Sequence, residues 1–343
     1  MNIESNKLYP LKFKPILKQK LWGGDRIQNI YRHNEPKLAQ VGESWDVSAM
    51  DDDDCEVING WLEGNSLADL VEVYMGDLVG DKVYEQYGSE FPLLLKIIDA
   101  NDNLSIQVHP NDELAEEEHG LSGKTEMWYV LDADIILGFN RYVSKSEYIE
   151  RVATGHLEEV LQKYPVKKGD VYFIPAGMVH SIGKGCLILE IQEPTDFTIQ
   201  PERWCNDYHI SYEEEYIGLD KETALGSINY DIFGENAKKF ATVTPKIAID
   251  TENYQKQELI TYEDTPCFAE NRHIIKKGGS FTLNYAPSVW LLLDGDAIIT
   301  GENYYREVNR GEYFYLPFVA EGKFSVTTNT QATFIECLPS KQD

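Results

Sequence analysis

The sequence predicts a mainly β protein that contains two related β-barrel units. Aromatic residues, which favour strands, make up 12% of the chain and include 21 tyrosines. Short segments of alternating polarity recur between glycine and proline turns. Two segments, Gly169–Ala176 and Gly311–Phe318, also echo each other, since each runs from a glycine and an acidic residue through an apolar strand to a proline. Such internal repetition is typical of a duplicated small barrel.

Length and charge limit the possible functions. A chain of 343 residues can form one large domain or two to three ordinary ones. The formal net charge of -27 argues against nucleic acid or an anionic membrane as a partner. Any anionic substrate must therefore be bound by a local cluster of lysine or arginine.

The sequence lacks the features of a membrane or disulfide-rich protein. No apolar run approaches the roughly 18–20 residues of a membrane span, and the N-terminus has no signal-peptide core. The five cysteines are odd in number and have no CxxC spacing, which is typical of reduced thiols. We therefore expect a cytoplasmic location.

The first half begins with β structure and a short helical stretch. Gly42–Ser48 alternates and predicts a strand, while Ser66 is a plausible N-cap for a helix that follows it. Phe91–Asp99 is a continuous apolar run and predicts a buried strand. Lys96 lies within this run, and we expect it at a strand end or with its amine reaching solvent.

Three regions follow from these patterns. Residues 1–205 are predicted to form an N-terminal metal-binding domain with helical insertions at about 66–88 and 111–164, residues 206–262 a connection, and residues 263–343 a second β unit. The strands predicted in the second unit are Ser280–Tyr285, Ser288–Leu293, Ala297–Thr300, Gly311–Leu316, Lys323–Thr327 and Thr333–Leu338.

Four residues of the first half have the character of metal ligands. Asn103–His109 alternates, so Gln107 and His109 would share one face of a strand. Glu126 opens a second strand, and His180 follows a turn at Pro175. Two imidazoles, a carboxylate and an amide oxygen suit Zn²⁺, and also Fe²⁺, Co²⁺ or Mn²⁺.

The remaining histidines show no such pattern. We expect them on the surface, and we expect the second unit to bind no metal because no histidine follows its proline. These residues are His33, His119, His156, His209 and His273.

Several motifs together resemble the class I mannose-6-phosphate isomerases of the short bacterial type, which are metal-dependent cupins. The motifs are Leu21–Gly24, Gly42–Trp45, Leu104–Pro110, Gly123–Glu126, Pro175–His180 and Leu189–Glu193. The resemblance implies two cupin-type, jelly-roll-like barrels with a small helical insertion, the second barrel being degenerate. It also implies interconversion of mannose 6-phosphate and fructose 6-phosphate, with one Zn²⁺ bound by Gln107, His109, Glu126 and His180.

The implied reaction needs a group that moves a proton between C1 and C2 of the sugar through an enediolate. The candidates are Glu190, His109 and Lys124, and they stay open as alternatives. Ser105 would share a face with the ligands and could bind substrate, and Trp22 could wall the sugar cleft, although an aromatic residue is as readily part of the core.

One segment departs from the family pattern. Short members commonly place an arginine, thought to contribute to catalysis, between the residues that correspond here to Thr198 and Trp204. The chain has Gln200 at that position, so Gln200 is expected to contact substrate. Arg203 would point to the wrong face of a regular strand, unless Pro201 kinks the strand and lets Arg203 supply the missing cation.

Two other functions remain open. A different metal-dependent cupin enzyme, such as an Fe²⁺ dioxygenase, is disfavoured by the Gln107 ligand and by the Lys124–Glu126 spacing. A non-catalytic sugar-phosphate sensor is favoured by Gln200. We expect a phosphorylated hexose as substrate, neither nucleic acid nor membrane as a partner, and a monomer or weak dimer.

Overall fold

The structure is a computed structural model that describes residues 7–50, 52–120, 122–132, 134–202, 204–205 and 208–341. Strands dominate it, so the predicted mainly β class is confirmed. In the described part of the chain, no helix combines the length and the apolar character needed to cross a bilayer.

Strands and short helices alternate in the first part of the chain. In chain order the strands are β1 (Ile16–Gly24), β2 (Val41–Val47), β3 (Ala49–Met50), β4 (Asp53–Asp54), β5 (Leu94–Asp99), β6 (Glu126–Asp132), β7 (Asp134–Phe139), β8 (Leu161–Pro165), β9 (Val171–Ile174), β10 (His180–Ile182), β11 (Leu187–Gln192), β12 (Trp204–Cys205) and β13 (Tyr208–His209). The α-helices of the chain are α1 (Leu67–Tyr74), α2 (Gly76–Val79), α3 (Asp81–Tyr87), α4 (Asp112–His119), α5 (Lys145–Thr154), α6 (Tyr212–Tyr216), α7 (Lys221–Gly226) and α8 (Gly234–Ala241).

Within the described residues, the first part is organised around a six-stranded sheet with the order β1-β2-β5-β11-β6-β9. A smaller sheet, β10-β7-β8, lies beside it. Strands β2, β5 and β11 are buried along their whole length, which explains why Phe91–Asp99 reads as a continuous apolar run. Ser66 caps α1 as predicted, since its side chain accepts a hydrogen bond from the Asp69 amide.

The last part of the chain forms a second, larger sheet. Its strands are β14 (Lys246–Asp250), β15 (Tyr254–Ile260), β16 (Ala269–Ile275), β17 (Ser280–Thr282), β18 (Ser288–Gly301), β19 (Tyr304–Asn309), β20 (Tyr313–Leu316), β21 (Phe324–Thr327) and β22 (Ala332–Leu338). The path runs β14-β15-β16-β22-β18-β21-β17, and β19 and β20 also pair with β18. Whether either sheet closes into a barrel, and where the domain limits fall, remain predictions.

The two echoing segments adopt the same local structure. Gly169 and Gly311 both have positive φ, 91° and 82°, which a glycine adopts without a steric penalty. Each is followed by a four-residue strand, β9 or β20, that ends just before the proline. The repeat read from the sequence is therefore present in the backbone.

Several predicted element limits were wrong. Residues 103–109 form only isolated bridges, at Gln107 and Val108, and residues 195–202 form no regular strand. The predicted 111–164 insertion also contains the strands β6 and β7, and residues 155–164 form a 3₁₀ turn and the start of β8. The second sheet begins at Lys246, inside the predicted connection, because β14 and β15 pair with it.

Candidate active site

Two residues separated by more than 70 positions are held together by backbone pairing. Gln107 and His180 form an antiparallel bridge, in which each amide donates to the carbonyl of the other at 2.9 Å. His180 begins β10, and Glu126 begins β6. A short bridge, in place of the predicted strand at residues 103–109, therefore holds the backbone of Gln107 beside that of His180.

His109, Glu126 and His180 form a buried cluster. His109 Nε2 lies 3.4 Å from Glu126 Oε2, and His180 Nε2 lies 3.2 Å from Glu126 Oε1. The two imidazole centroids are 4.7 Å apart. One ligand atom from each residue fits within a span of 4.8 Å, as a metal ion requires.

Both imidazoles have a fixed orientation. His109 Nδ1 lies 2.8 Å from the Phe197 carbonyl oxygen, and His180 Nδ1 lies 2.9 Å from the Met178 carbonyl oxygen. A carbonyl only accepts, so each Nδ1 carries the hydrogen and each Nε2 faces Glu126. This arrangement is typical of histidine ligands whose second nitrogen is held by a backbone carbonyl. Burial, followed by the Lys124 charge, lowers the pKa of His109 to about 3, so its Nε2 lone pair is available.

The Glu126 carboxylate is ionised and incompletely satisfied. Burial favours its protonated form, but Lys124 and the two histidines outweigh burial and hold its pKa well below the usual range. Its Oε2 atom is fully buried and takes part in no regular hydrogen bond among the described residues, although Lys124 Nζ lies 3.3 Å from it. Two imidazole nitrogens and a carboxylate whose ligand atoms lie within 4.8 Å of one another are a donor set that suits a divalent metal, so these residues fit such an ion.

The cluster opens onto a cavity of about 310 Å³. Gln107, the fourth predicted ligand, lines this cavity and places its amide nitrogen 3.4 Å from Ser105 Oγ. The volume is at the lower end of the range for sites that bind small molecules. The other charged and polar side chains that line it are Lys20, Glu43, Lys96, Lys124, Glu190, Asp196, Thr198, Gln200 and Glu214.

Lys124 lies directly beside the cluster. Its Nζ is 3.3 Å from Glu126 Oε2 and 3.3 Å from His109 Nε2, and the side chain is almost fully buried. The side-chain heads of Lys124 and Glu126 thus both reach one cavity, although Lys124 precedes the start of β6.

A row of side chains crosses the first sheet beneath the cavity. The strand register sets Trp45, Lys96, Glu190 and Trp128 opposite one another on β2, β5, β11 and β6. Lys96 Nζ lies 3.0 Å from Glu190 Oε1, and the Trp128 indole donates to Glu190 Oε2 at 2.8 Å. The expectation that the Lys96 amine reaches solvent was wrong, because only 3% of the residue is exposed.

Two carboxyl groups that line the cavity, Glu190 in this row and Glu43 on β2, have pKa values shifted in opposite directions. Burial and then Glu126 raise the pKa of Glu190, with Lys96 opposing them. Glu43 is buried too, but Lys96 and Lys20 outweigh burial and lower its pKa to about 2. Carboxyl groups with separated pKa values in one cavity are a frequent feature of acid–base sites. Glu43 was not proposed as a site residue from the sequence, although it lies on an alternating strand and within the Gly42–Trp45 motif.

The predicted substrate-binding residues also reach the cavity. Trp22, Ser105 and Gln200 all line it, and Trp22 and Ser105 are largely buried. The backbone amide of Gln200 donates a hydrogen bond of 2.8 Å to the Glu215 carbonyl, which fixes the backbone at this position. Arg203 lies outside the described residues. Because residues 195–202 form no regular strand, the alternation argument against Arg203 does not apply to this segment.

Fold and site together define a β-sheet protein with a buried metal-ligand cluster at the end of a sugar-sized cavity, the class that includes the metal-dependent cupin enzymes. Residues 10–133 match the family model described as phosphomannose isomerase type I, catalytic domain. Over 324 residues the chain is 30% identical to the probable mannose-6-phosphate isomerase GmuF of Bacillus subtilis, an alignment that covers 90% of this chain and 93% of that protein. The chain belongs to the type I mannose-6-phosphate isomerase family.

Other relatives match over a shorter length. The mannose-6-phosphate isomerase ManA of Bacillus subtilis is 41% identical over 197 residues, which cover 55% of this chain and 59% of that protein. The mannose-6-phosphate isomerase of Streptococcus mutans is 40% identical over 193 residues, with the same shares of 55% and 59%. The chain therefore spans about three fifths of the length of these two relatives.

Solved structures support the fold. A mannose 6-phosphate isomerase from Bacillus subtilis superposes with a TM-score of 0.80 at 24% identity, over 96% of this chain and 99% of that one. A putative mannosephosphate isomerase from Archaeoglobus fulgidus superposes with a TM-score of 0.75 at 18% identity, over 98% and 100%.

Proposed function

We propose that the protein is a metal-dependent aldose–ketose isomerase that interconverts mannose 6-phosphate and fructose 6-phosphate. The observation that carries the proposal is the His109–Glu126–His180 cluster, which opens onto a cavity that also holds Lys124 and Glu190. Family membership supports the same reaction.

Zn²⁺ is the metal that we propose, held by Gln107, His109, Glu126 and His180. When bound, it would supply Lewis-acid stabilisation for negative charge that develops on the substrate oxygens. The fixed Nδ1 contacts of the histidines and the buried Glu126 carboxylate between their Nε2 atoms support this assignment.

Proton transfer would fall to the chain's own titratable groups. Glu190 is held by Lys96 and Trp128, and its raised pKa makes this carboxylate a stronger base than an ordinary glutamate, which suits a group that accepts and returns a proton. Lys124 could donate to a substrate oxygen as charge develops on it. We propose both as catalytic residues, with Arg203 as a further cation.

Substrate binding needs local cations, because the net charge of -27 repels a sugar phosphate. Lys20, Lys96 and Lys124 line the cavity, and Lys20 is partly exposed at its side chain. Ser105, Gln200 and Trp22 would contact the sugar.

The test is a coupled assay with protein loaded with Zn²⁺ and a measured metal content. We expect turnover of mannose 6-phosphate to fructose 6-phosphate and no turnover of unphosphorylated mannose. A fully loaded protein that does not isomerise mannose 6-phosphate would contradict the proposal.

A second candidate, a sugar-phosphate sensor without catalysis, is favoured by Gln200, which lines the cavity at the place of the family's arginine. Binding of mannose 6-phosphate in calorimetry without turnover would support it.

If Arg203 instead supplies the cation, Arg203→Ala should lower kcat by about 10²-fold, the usual effect of removing one preorganised electrostatic contact. Gln200→Arg should then recover part of the loss. Unchanged turnover in Arg203→Ala would exclude that role.

We further propose a cytoplasmic enzyme that is a monomer or a weak dimer. Cys55, Cys267 and Cys337 are buried free thiols, which supports a reducing compartment. Light scattering across a concentration series tests the oligomeric state, and a stable dimer at low concentration would contradict it.

A further inference from the structure

We propose that Glu193 and Asp112, which do not line the active-site cavity, are positioning residues that hold the Gly123–Thr125 segment so that Lys124 reaches the metal cluster. We call these two carboxylates and the hydroxyl of Thr195 the carboxylate clamp. The activity part of this inference rests on the proposed isomerase function.

The Gly123–Thr125 segment has no regular secondary structure of its own. Strand β6 starts only at Glu126, and residues 122–125 lie outside the helices and strands. A backbone without ladder hydrogen bonds needs other partners when it is buried. The Lys124 amide donates to the Pro110 carbonyl at 3.1 Å, which is one such partner.

The carboxylate clamp supplies the other hydrogen-bond partners of the Gly123–Thr125 backbone. Gly123 donates its amide hydrogen to Asp112 Oδ1 at 2.8 Å, and Thr125 donates its own to Glu193 Oε2 at 2.8 Å. The Glu193 amide in turn donates to the Thr125 carbonyl at 3.2 Å, and Thr195 Oγ1 donates to the Gly123 carbonyl at 3.0 Å. Both residues that flank Lys124 are therefore fixed at their amide and carbonyl groups.

Sterics restrict the segment from the other side. A Cβ atom on Gly123 would lie 2.6 Å from the Asn111 carbonyl carbon and 2.6 Å from the Asp112 amide nitrogen. Only glycine allows this approach to the first turn of α4. The segment is thus packed against the helix start and tied to the end of β11 by Glu193.

This fixation matters because Lys124 makes two contacts of 3.3 Å, to Glu126 and to His109. A displacement of about 1 Å at a reacting group can cost about 10²-fold in rate. The clamp carboxylates face a separate cavity of about 660 Å³, which Cys267 and Ser340 of the chain's last part also line. The position of Lys124 is therefore set from outside the active-site cavity.

The experiment compares Glu193→Ala with Glu193→Gln in holoenzyme of measured Zn²⁺ content. The amide oxygen of glutamine can still accept the Thr125 hydrogen bond, whereas alanine cannot. We expect Glu193→Ala to lower kcat by about 10- to 100-fold, as for other outer supporting contacts, with metal content and KM nearly unchanged. We expect Glu193→Gln to recover kcat to within about threefold of wild type, as a retained hydrogen bond predicts.

The matched control is Glu116→Ala, which removes an exposed carboxylate of α4 from the wall of the same cavity. Wild-type kcat is expected for it. Thr195→Val is a second clamp variant that keeps the test decisive if Glu193→Ala does not fold, and its kcat is expected to fall by about threefold to tenfold, as for the loss of one neutral hydrogen bond.

A double-mutant cycle separates positioning from a general structural role. If Glu193 acts through Lys124, Glu193→Ala should change kcat by less than about twofold in a Lys124→Ala background. An additive loss in the double variant, an equal loss in Glu193→Gln, or wild-type kcat in Glu193→Ala would each overturn the proposal.

Amide hydrogen exchange tests the carboxylate clamp without a measurement of enzyme activity. The Thr125 amide should exchange at least about tenfold faster in Glu193→Ala than in wild type, because its acceptor is removed. Equal exchange would overturn the clamp. If loaded wild-type protein binds metal but does not isomerise mannose 6-phosphate, the proposed function fails while the exchange result still decides on the clamp.

Discussion

The pKa values of buried glutamates are shifted in opposite directions in the two large sheets. Glu126, in the first sheet, has Lys124 and two histidines around it, and these hold its pKa well below the usual range despite its burial. Glu270, in β16 of the second sheet, is equally buried, and neither of its carboxylate oxygens has a hydrogen-bond partner among the described residues. Burial raises the pKa of Glu270 well above the usual range, and Arg272 opposes this only weakly.

Histidine–glutamate pairs differ in the same way. In the first sheet the Nδ1 atoms contact backbone carbonyls, so both Nε2 atoms face Glu126 and a possible metal. In the second sheet His273 Nδ1 lies 2.8 Å from the Tyr254 hydroxyl and His273 Nε2 lies 3.0 Å from Glu336 Oε2. The expectation that His273 is a surface residue was wrong, since it is 1% exposed and packs between Phe281 and Trp290.

The comparison teaches that residue type alone does not make a metal site. Both sheets bury histidine and glutamate, but in the second sheet both ring nitrogens of His273 are engaged by side chains. In the first cluster a backbone carbonyl holds the Nδ1 atom of each histidine and directs its Nε2 atom toward the Glu126 carboxylate, an arrangement typical of metal-ligating histidines. The four predictions that follow test this difference, from the largest expected effect to the smallest.

His180→Ala should remove the metal site of the first sheet, because it deletes one of the three residues of the His109–Glu126–His180 cluster. We expect less than about a tenth of the wild-type Zn²⁺ content and a fall in kcat/KM of at least about 10²-fold, the upper end of the effects of merely supporting residues. Elemental analysis and the coupled assay measure the two quantities. Retained metal with retained activity would mean that His180 is not a ligand.

His273→Ala should affect stability and leave the chemistry unchanged. Removing one partner of a buried pair leaves Glu336 poorly compensated and should lower the free energy of unfolding by about 3 kcal/mol. Urea denaturation measures this loss, and metal content should stay at the wild-type level. A parallel loss of metal in this variant would show that the second sheet supports the first cluster.

Glu270→Gln should become more stabilising as pH rises. The folded state of wild type binds the Glu270 proton more tightly than the unfolded state, whose carboxyl has a pKa near the ordinary value of 4.5. Wild-type stability contributed by this group is thus full at low pH and declines by about 1.4 kcal/mol per pH unit above that value, while the amide does not titrate. The variant should therefore gain stability relative to wild type as the pH rises above 4.5, and urea denaturation across a pH series measures this gain. A difference independent of pH would mean that Glu270 has an ordinary pKa.

Added Zn²⁺ should stabilise only proteins with an intact first cluster. At a free metal concentration ten times Kd, mass action predicts about 1.4 kcal/mol of extra stability. Thermal unfolding with a chelator and then with excess Zn²⁺ measures it. The shift should be present in His273→Ala and absent from His180→Ala, and a shift in both would place a stabilising ion elsewhere.

The sequence was sufficient to predict candidate site residues where suitable residue types occur at a short, regular spacing. The Lys124–Glu126 spacing and the histidine after Pro175 are short-range patterns, and their side chains meet as predicted. It was insufficient for β14, whose five residues are all exposed. Such a strand has no buried apolar face, so its sequence lacks the alternation of apolar and polar residues that would predict a strand.

The sequence by itself determined the β character, the duplicated strand and the set of candidate ligands, because these depend on residue types and spacings within a few positions. The tertiary structure decided the rest. Lys96 became a buried partner of Glu190 only because β5 and β11 pair in one register, and Lys124 is fixed by Glu193, which lies about 70 residues further along the chain. Strand register and the contacts of loops are non-local, so the sequence of either segment alone does not contain them.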